Sequence, residues 1–483
     1  MTLNTDVVDG VPVFWLDLPG PLAAELIFRA GVRDETFMTA GITHLAEHLI
    51  MAQASDGRDA TNAMVEPSMT TFSTSGRPET VVAFLSALCA AISSPSFERL
   101  PVEKKVLEAE GGSVVNPAVS RHLRRRFGVR SLGLTDVAPH GLRLIDEEAV
   151  RNHIRTYFTQ QNAVLVLSGP PPQDLRLLLP SGEPRTPAPA PRVDLPYPMW
   201  FEQDGPQLSL SFELPVLSDV ETEGVFLLSS LIRRTVIHEL RHSRGWIYEV
   251  DIEPVLDIDG RGILCVLTDP PAHHVDDVLA GLLRILRSMS ERGPSTLDIE
   301  DSVRELQEYL DDPGNAMDEA IAAARNHLMN YPALTAIEKM ELVHRVAPET
   351  CKRVLTLLEE TLVVGMPEGC FPVDESLVAE HARHYPAIRG ERFRRGLRGA
   401  VTGVPARAQL VVGDAGVSFS DGVYCSILWN DVEVLEELEP GLITLTSSTG
   451  LSIDLSATWF SQGSRAIQMI REKVPTAKVI RAE

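Results

Sequence analysis

The chain reads as α+β: two α/β units with one shared order of strands and helices, then a small, mostly-β, barrel-like C-terminal domain. Three observations point there. Strand-like and helix-like segments recur in the same order over 1–182 and again over 199–400. Between them the composition turns proline-rich (Pro184, Pro187, Pro189, Pro191, Pro196, Pro198), so 183–198 reads as an extended linker. Short alternating segments then crowd into 408–456, inside a last domain over 401–483.

The first unit opens on a strand-like run at 10–14. Gly41 breaks the chain before a helical stretch whose apolar positions are Ile42, Leu45, Leu49 and Ile50. Asn62-Ala63 begins a polar, β-prone run through Thr70-Thr71-Phe72. A helix is expected over 78–93 and another through Glu103 and Glu110, and a strand at 163–168 closes the unit before Gly169-Pro170. The second unit starts with an alternating strand at 207–213. A helical stretch follows over 220–242, then a β-rich stretch to 267, helical patterns at 275–290 and 297–310, and a closing segment at 361–366. In the tail, Gly413-Asp414, Asp421-Gly422, Pro440-Gly441 and Thr449-Gly450 separate about six antiparallel strands. Residues 459–474 read as a capping helix.

The most informative string is His44-Leu45-Ala46-Glu47-His48. On a helix, positions i and i+4 lie one turn apart on one face, so both imidazoles can reach one ion with Glu47 beside them. This is H-x-x-E-H, the inverted zincin motif. Catalytic zinc takes three protein ligands and keeps one position open. Glu103 and Glu110, two helical turns apart, share a face and offer the third. Glu108 is the rival to Glu110, because helical phase is good only to a residue or two. In a chain with thirteen histidines the motif alone could also arise by chance, its residues being ordinary core or surface groups. A second string, His238-Glu239-Leu240-Arg241-His242, has the ordinary zincin form H-E-x-x-H. No third ligand follows it, and it reads as coincidence or adventitious metal binding.

These residues, with Ala30-Gly31-Val32-Arg33-Asp34-Glu35 ahead of the motif and Asn62-Ala63 after it, resemble the pitrilysin family of inverzincins, which includes the mitochondrial processing peptidases. The resemblance covers 8–370 and implies two homologous α/β-sandwich metallopeptidase units, the first catalytic and the second a degenerate copy. It implies that His44, His48 and Glu110 bind Zn2+, that Glu47 is the general base, and that Glu103 is a carboxylate supporting a ligand. Asn62 and Ala63 would lie on an edge strand that holds peptide substrate. The run from Leu240-Arg241 through Gly245 to Tyr248 resembles the family's substrate-contacting element, giving roles to Arg241 and Tyr248. One departure is the interval from His48 to Glu110, shorter than is usual in the family. The tail resembles a pleckstrin-homology-like domain, without a sharp motif.

Composition narrows the partners. A net charge of -23 over 483 residues repels phosphate and so excludes a general nucleic-acid or anionic-membrane partner. Basic clusters at 121–126 and 389–398 read as solvated helix faces or local ion-pair partners. Five scattered cysteines (Cys89, Cys265, Cys351, Cys370, Cys425) suit reduced thiols in a cytoplasmic protein. Residues 1–9 lack a basic segment followed by an apolar core, and no run of eighteen apolar residues occurs. Two functions of different class are expected: a zinc endopeptidase for short or unfolded peptides, or a non-catalytic scaffold or binding subunit of the same fold. Family members enclose substrate with four such units, so a homodimer is expected first and a heterodimer second.

Overall fold

The computed structural model describes residues 2–55, 57, 60–110, 115–380, 388–421 and 424–481. A first sheet is built from β1 (Asn4–Val8), β2 (Val11–Trp15), β3 (Leu22–Phe28), β4 (Thr61–Val65), β5 (Thr70–Gly76) and β6 (Ala163–Leu167), in the order β1-β2-β6-β3-β5-β4. Its helices are α1 (Ile42–Ala54), α2 (Pro78–Ser93), α3 (Leu100–Glu110), α4 (Pro117–Phe127) and α5 (Glu147–Tyr157). Alternate residues of a strand face opposite sides, so Ala24, Leu26 and Phe28 of β3 bury against Leu45 and Leu49 of α1 and Leu85 and Leu88 of α2. β4 is left at the free edge of the sheet, beside α1.

The second sheet uses β7 (Met199–Gln203), β8 (Leu208–Leu214), β9 (Val250–Leu256), β10 (Gly262–Thr268), β11 (Val363–Pro367) and β12 (Val378–Ala379), in the order β12-β7-β11-β8-β10-β9. Five positions repeat the first sheet in order and direction: β2 and β6 run parallel, as do β7 and β11, and the remaining neighbours are antiparallel. The edge differs, because β1 runs antiparallel to β2 whereas β12 runs parallel to β7. Around this sheet lie α6 (Asp219–Val236), α7 (Val275–Arg292), α8 (Thr296–Asp311), α9 (Ala316–Leu328), α10 (Ala336–Val343) and α11 (Pro348–Val354). Ser218 starts α6 with a reciprocal capping box to Glu221. α9 leaves its own sheet and packs Ala320 and Ala324 on the outer face of the first, against Phe14, Ile27, Val164 and Val166.

The proline-rich stretch carries no regular element, but it is not a free tether. The Ala190 N–H donates to Asp257 at 2.7 Å, and Asp257 also pairs with the buried Arg33 at 2.9 Å. The Val193 N–H donates to the Arg126 carbonyl at 2.7 Å. The basic cluster at 121–126 is likewise not a solvated face throughout. Arg126 is fully buried and donates to the Ser211 carbonyl at 2.9 Å and the Thr361 carbonyl at 2.7 Å. The cause is tertiary: α4 docks Ala118, Val119, Leu123 and Phe127 against Ile263, Cys265 and Leu267 of the second sheet. Arg121 and Arg125 do keep acidic partners, Asp204 and Glu380.

The tail, expected to be mostly β and barrel-like, holds two four-stranded sheets. β13 (Glu391–Arg394), β14 (Gln409–Val412), β15 (Gly416–Ser420) and β16 (Tyr424–Leu428) form one four-stranded sheet, with the short α12 (Leu397–Val401) between its first two strands. β17 (Val432–Glu439), β18 (Leu442–Ser447), β19 (Ser452–Ser456) and β20 (Val479–Arg481) form another, ordered β19-β18-β17-β20. α13 (Gly463–Lys473) packs Ala466, Ile467 and Ile470 into the core between them. Gly422 of the expected Asp421-Gly422 turn lies outside the described residues. Val434 and Ile480 bury against Phe37, four residues ahead of Gly41, so this domain touches the approach to α1. The chain as a whole is mixed α/β with several sheets.

Candidate metal centre

Helix α1 starts where Gly41 takes the left-handed conformation, φ 89°, which glycine adopts without steric cost. Its exposed N–H groups are met from upstream. The buried Glu35 carboxylate accepts from the Gly41 N–H at 2.8 Å and the Thr43 N–H at 2.9 Å. Burial pushes Glu35 up to about 7. The apolar stripe Ile42, Leu45, Ala46, Leu49 and Ile50 is consumed by the core, which fixes the helix rotation and turns His44, Glu47 and His48 to one side.

On that side the two imidazoles meet edge to face, centroids 4.7 Å apart. His44 Nε2 lies 3.7 Å from Glu110 Oε2, and His48 Nε2 lies 3.6 Å from the same oxygen. Ligand atoms about 2.0–2.2 Å from a tetrahedral zinc stand about 3.3–3.6 Å from each other, close to these two distances to Glu110. Glu47 Oε2 sits 3.7 Å from His44 Nε2 and 3.9 Å from His48 Nε2. Among the described residues, His44, Glu47 and His48 form the cluster whose ligand atoms all fall within 4.8 Å of one another.

Exposure grades across the group: the Glu47 side chain is 8% exposed, His48 15%, His44 29% and Glu110 46%. Burial pushes Glu47 up to about 7, with Glu110 and Glu103 adding and His48 opposing. Burial also holds His44 below the ordinary imidazole value, helped by His48 and opposed by Glu110. A neutral imidazole is the form that ligates a metal.

Glu103 sets the orientation of His48. Its Oε2 lies 3.1 Å from His48 Nδ1, and its Oε1 accepts from Arg99 Nε at 2.8 Å. A carboxylate there draws the proton to Nδ1 and leaves the Nε2 lone pair facing Glu110. Glu108 is exposed and joins neither imidazole by a hydrogen bond or ion pair. Arg99, four residues ahead of Glu103, was readable from helical spacing; Glu35 was not, because its contact to α1 closes through a turn.

Asn62 and Ala63 lie on the edge strand β4, where Asn62 is exposed and Ala63 packs toward the α1 core. The β-prone run that follows is a hairpin, β4 and β5, in place of one stretch. Arg241 and Tyr248 stand together, the guanidinium 4.9 Å from the ring centroid, and Tyr248 is 71% exposed. No hydrogen bond or ion pair among the described residues joins either of them to the histidine cluster. The H-E-x-x-H string falls on a single π-helical turn, Ile237–His242, where Glu239 is committed to Arg284 at 2.6 Å.

Comparison with known proteins bears on the fold. Residues 145–306 match the family model described as the Peptidase M16 inactive domain. No curated protein matches the chain by sequence. The chain is similar to the crystal structure of a peptidase M16 inactive domain from Pseudomonas fluorescens, with a TM-score of 0.62 and 16% identity over 77% of this chain and 100% of that one. It is similar to the first half of the periplasmic protease PqqL from Escherichia coli, with a TM-score of 0.59 and 15% identity over 79% of this chain and 94% of that one. Pitrilysin gives a TM-score of 0.57 and 14% identity, over 76% of this chain and 44% of pitrilysin. The chain therefore has the fold of M16 peptidase structures. The matched stretch runs from the end of the first unit into α8 and stops short of the residues at 44–110. Among the described residues no helix is long and apolar enough to cross a membrane.

Proposed function

We propose that the chain is a zinc-dependent endopeptidase for short or unfolded peptides, acting in peptide maturation or leader removal. The observation that carries this reading is the convergence of His44 Nε2 and His48 Nε2 on one Glu110 oxygen with Glu47 alongside. His44, His48 and Glu110 would hold the ion, and two imidazoles with one carboxylate favour zinc over manganese. Zinc so held supplies Lewis acidity and brings the pKa of water to about 7. Glu47, the most buried member of the cluster, takes a proton from the attacking water and returns one to the leaving amine. Glu103 holds His48 in the ligating tautomer. Peptide adds as a strand along β4 beside Asn62 and Ala63, a mode carried by backbone hydrogen bonds. Arg241 and Tyr248 contact it from the second unit, with the Tyr248 hydroxyl donating to the developing oxyanion.

A second reading is favoured by the comparisons: a non-catalytic scaffold or binding subunit. The family model that matches is that of an inactive domain, and the similar Pseudomonas fluorescens structure carries the same description. Both readings share an assembly. The chain spans the first half of PqqL but only 44% of pitrilysin. A partner chain would supply the remainder, another copy first and a related subunit second. All five cysteines are free, which supports a reducing, cytoplasmic setting.

Metal analysis of wild type and His48→Ala, with peptide digestion by wild type and Glu47→Gln, separates the readings. The peptidase reading expects stoichiometric zinc in wild type, its loss in His48→Ala, and no digestion by a zinc-loaded Glu47→Gln. Cleavage retained in Glu47→Gln removes the mechanism. Zinc bound by a wild type that cleaves nothing leaves the scaffold.

A further inference from the structure

The free edge of β4 has two faces. Ala63 turns toward α1, while Asn62 and Met64 turn away from it and stay exposed. A strand added to that edge would send alternate side chains to the two faces. On the face away from α1 lies a cavity of about 430 Å³, formed where α9 crosses the outer side of β3, β4 and β5. Glu25 and Asp318 line it, with Thr71 and Arg325.

The charges in this cavity are unbalanced. Arg325 is its cation: its two terminal nitrogens pair with Glu66 at 2.7 and 3.0 Å, while its buried Nε has no hydrogen-bond partner. Glu25 is half-buried and makes no hydrogen bond or ion pair to a described residue. Burial raises it above the ordinary carboxylate range, and Arg325 only partly offsets that cost. Thr71 is 5% exposed and its Oγ1 has no hydrogen-bond partner. The Glu25 carboxylate and the unpartnered Thr71 hydroxyl on the sheet side, with the exposed Asp318 carboxylate on α9 opposite, leave room for a positive charge from outside.

We propose that this cavity is a specificity pocket for a lysine or arginine side chain, carried by a peptide added to β4 and held by Glu25, Asp318 and Thr71. The inference rests on the peptide-binding reading of β4, not on cleavage. A cationic side chain entering here compensates Glu25 and Asp318 and leaves the Arg325–Glu66 pair intact. A neutral side chain of the same length leaves both acids uncompensated. The pocket thus discriminates by charge, while backbone pairing along β4 stays indifferent to sequence.

The test walks a single arginine through fluorescent peptides of about ten residues, with a leucine series as control. Binding is measured on zinc-loaded Glu47→Gln and cleavage on wild type. One arginine position should bind about tenfold tighter than its leucine counterpart. Adding Glu25→Gln and Asp318→Asn should bring that ratio to near unity at an unchanged Tm, and Asp318→Glu should keep it. Equal affinity for the two series, a preference that survives the double substitution, or no binding by either series overturns the proposal. A preference present in binding with no cleavage by wild type leaves the pocket standing and removes the peptidase reading.

Discussion

The Glu103 carboxylate lies 3.1 Å from His48 Nδ1 and is itself anchored by Arg99. This contact fixes which imidazole nitrogen is free. Such partners of ligating histidines typically carry about 10–100-fold of metal affinity. Glu103→Ala should lower zinc affinity by that factor, read by competition with a chromophoric chelator. Arg99, whose side chain is 58% exposed, should matter less when replaced by alanine. Wild-type affinity in Glu103→Ala would show that His48 is oriented by something else.

Gly41 governs where α1 begins. Its φ of 89° disfavours any side chain, and a Cβ there would stand 3.1 Å from the Pro139 Cβ. Gly41→Ala should cost about 1–2 kcal/mol. Unfolding by urea measures it, and a midpoint equal to wild type would mean that the turn relaxes freely.

The contact between His140 and Glu436 ties the loop beside α1 to strand β17 at 2.6 Å. The hydrogen bond to Glu436 raises His140 above its ordinary value, against a smaller opposing effect of burial. A histidine raised in the folded state binds its proton more tightly there than when unfolded. Its contribution is therefore complete below about pH 6.5 and fades as pH rises through the raised value. The Tm of His140→Gln should fall furthest below wild type at acid pH and rejoin it in alkaline buffer. A Tm gap independent of pH would assign the contact to packing alone.

What the sequence made legible was local. α2 runs over Pro78–Ser93, the span its proline start and apolar period mark out, and the His44/His48 spacing lands on one face of a helix. β3 is almost wholly buried at its C-terminal end and so shows no alternation to read. α5 carries an Asp146 cap bonded to the Ala149 N–H, a local signal present in the sequence. β20 was beyond reach, because three residues gain strand character only by pairing with β17 from beyond α13. The cap of α1 by Glu35 and the burial of Arg126 depend on neighbours that only the folded chain supplies.

Arg126 is the sharpest of those cases, and it yields the last prediction. Its guanidinium donates to Ser211 Oγ at 3.0 Å, to the Ser211 and Thr361 carbonyls, and to the Tyr197 hydroxyl at 3.2 Å, with Glu213 at 3.6 Å. His122, one helical turn back, is buried between Ser209 and Ser211. Burial, with Arg126 and Arg125 adding, holds it well below the ordinary imidazole value, so the imidazole adds no cation beside Arg126, and Arg192 shares only Glu213, at 3.0 Å. Removing the guanidinium leaves two backbone carbonyls dry at the seam between α4 and the second sheet. Arg126→Ala should therefore destabilise the chain by about 3–5 kcal/mol. Arg126→Lys should recover little, since one ammonium cannot reach acceptors spread across a fork. Urea unfolding of the three proteins decides it: a lysine variant as stable as wild type would mean that charge alone, and not the planar array of donors, closes this seam.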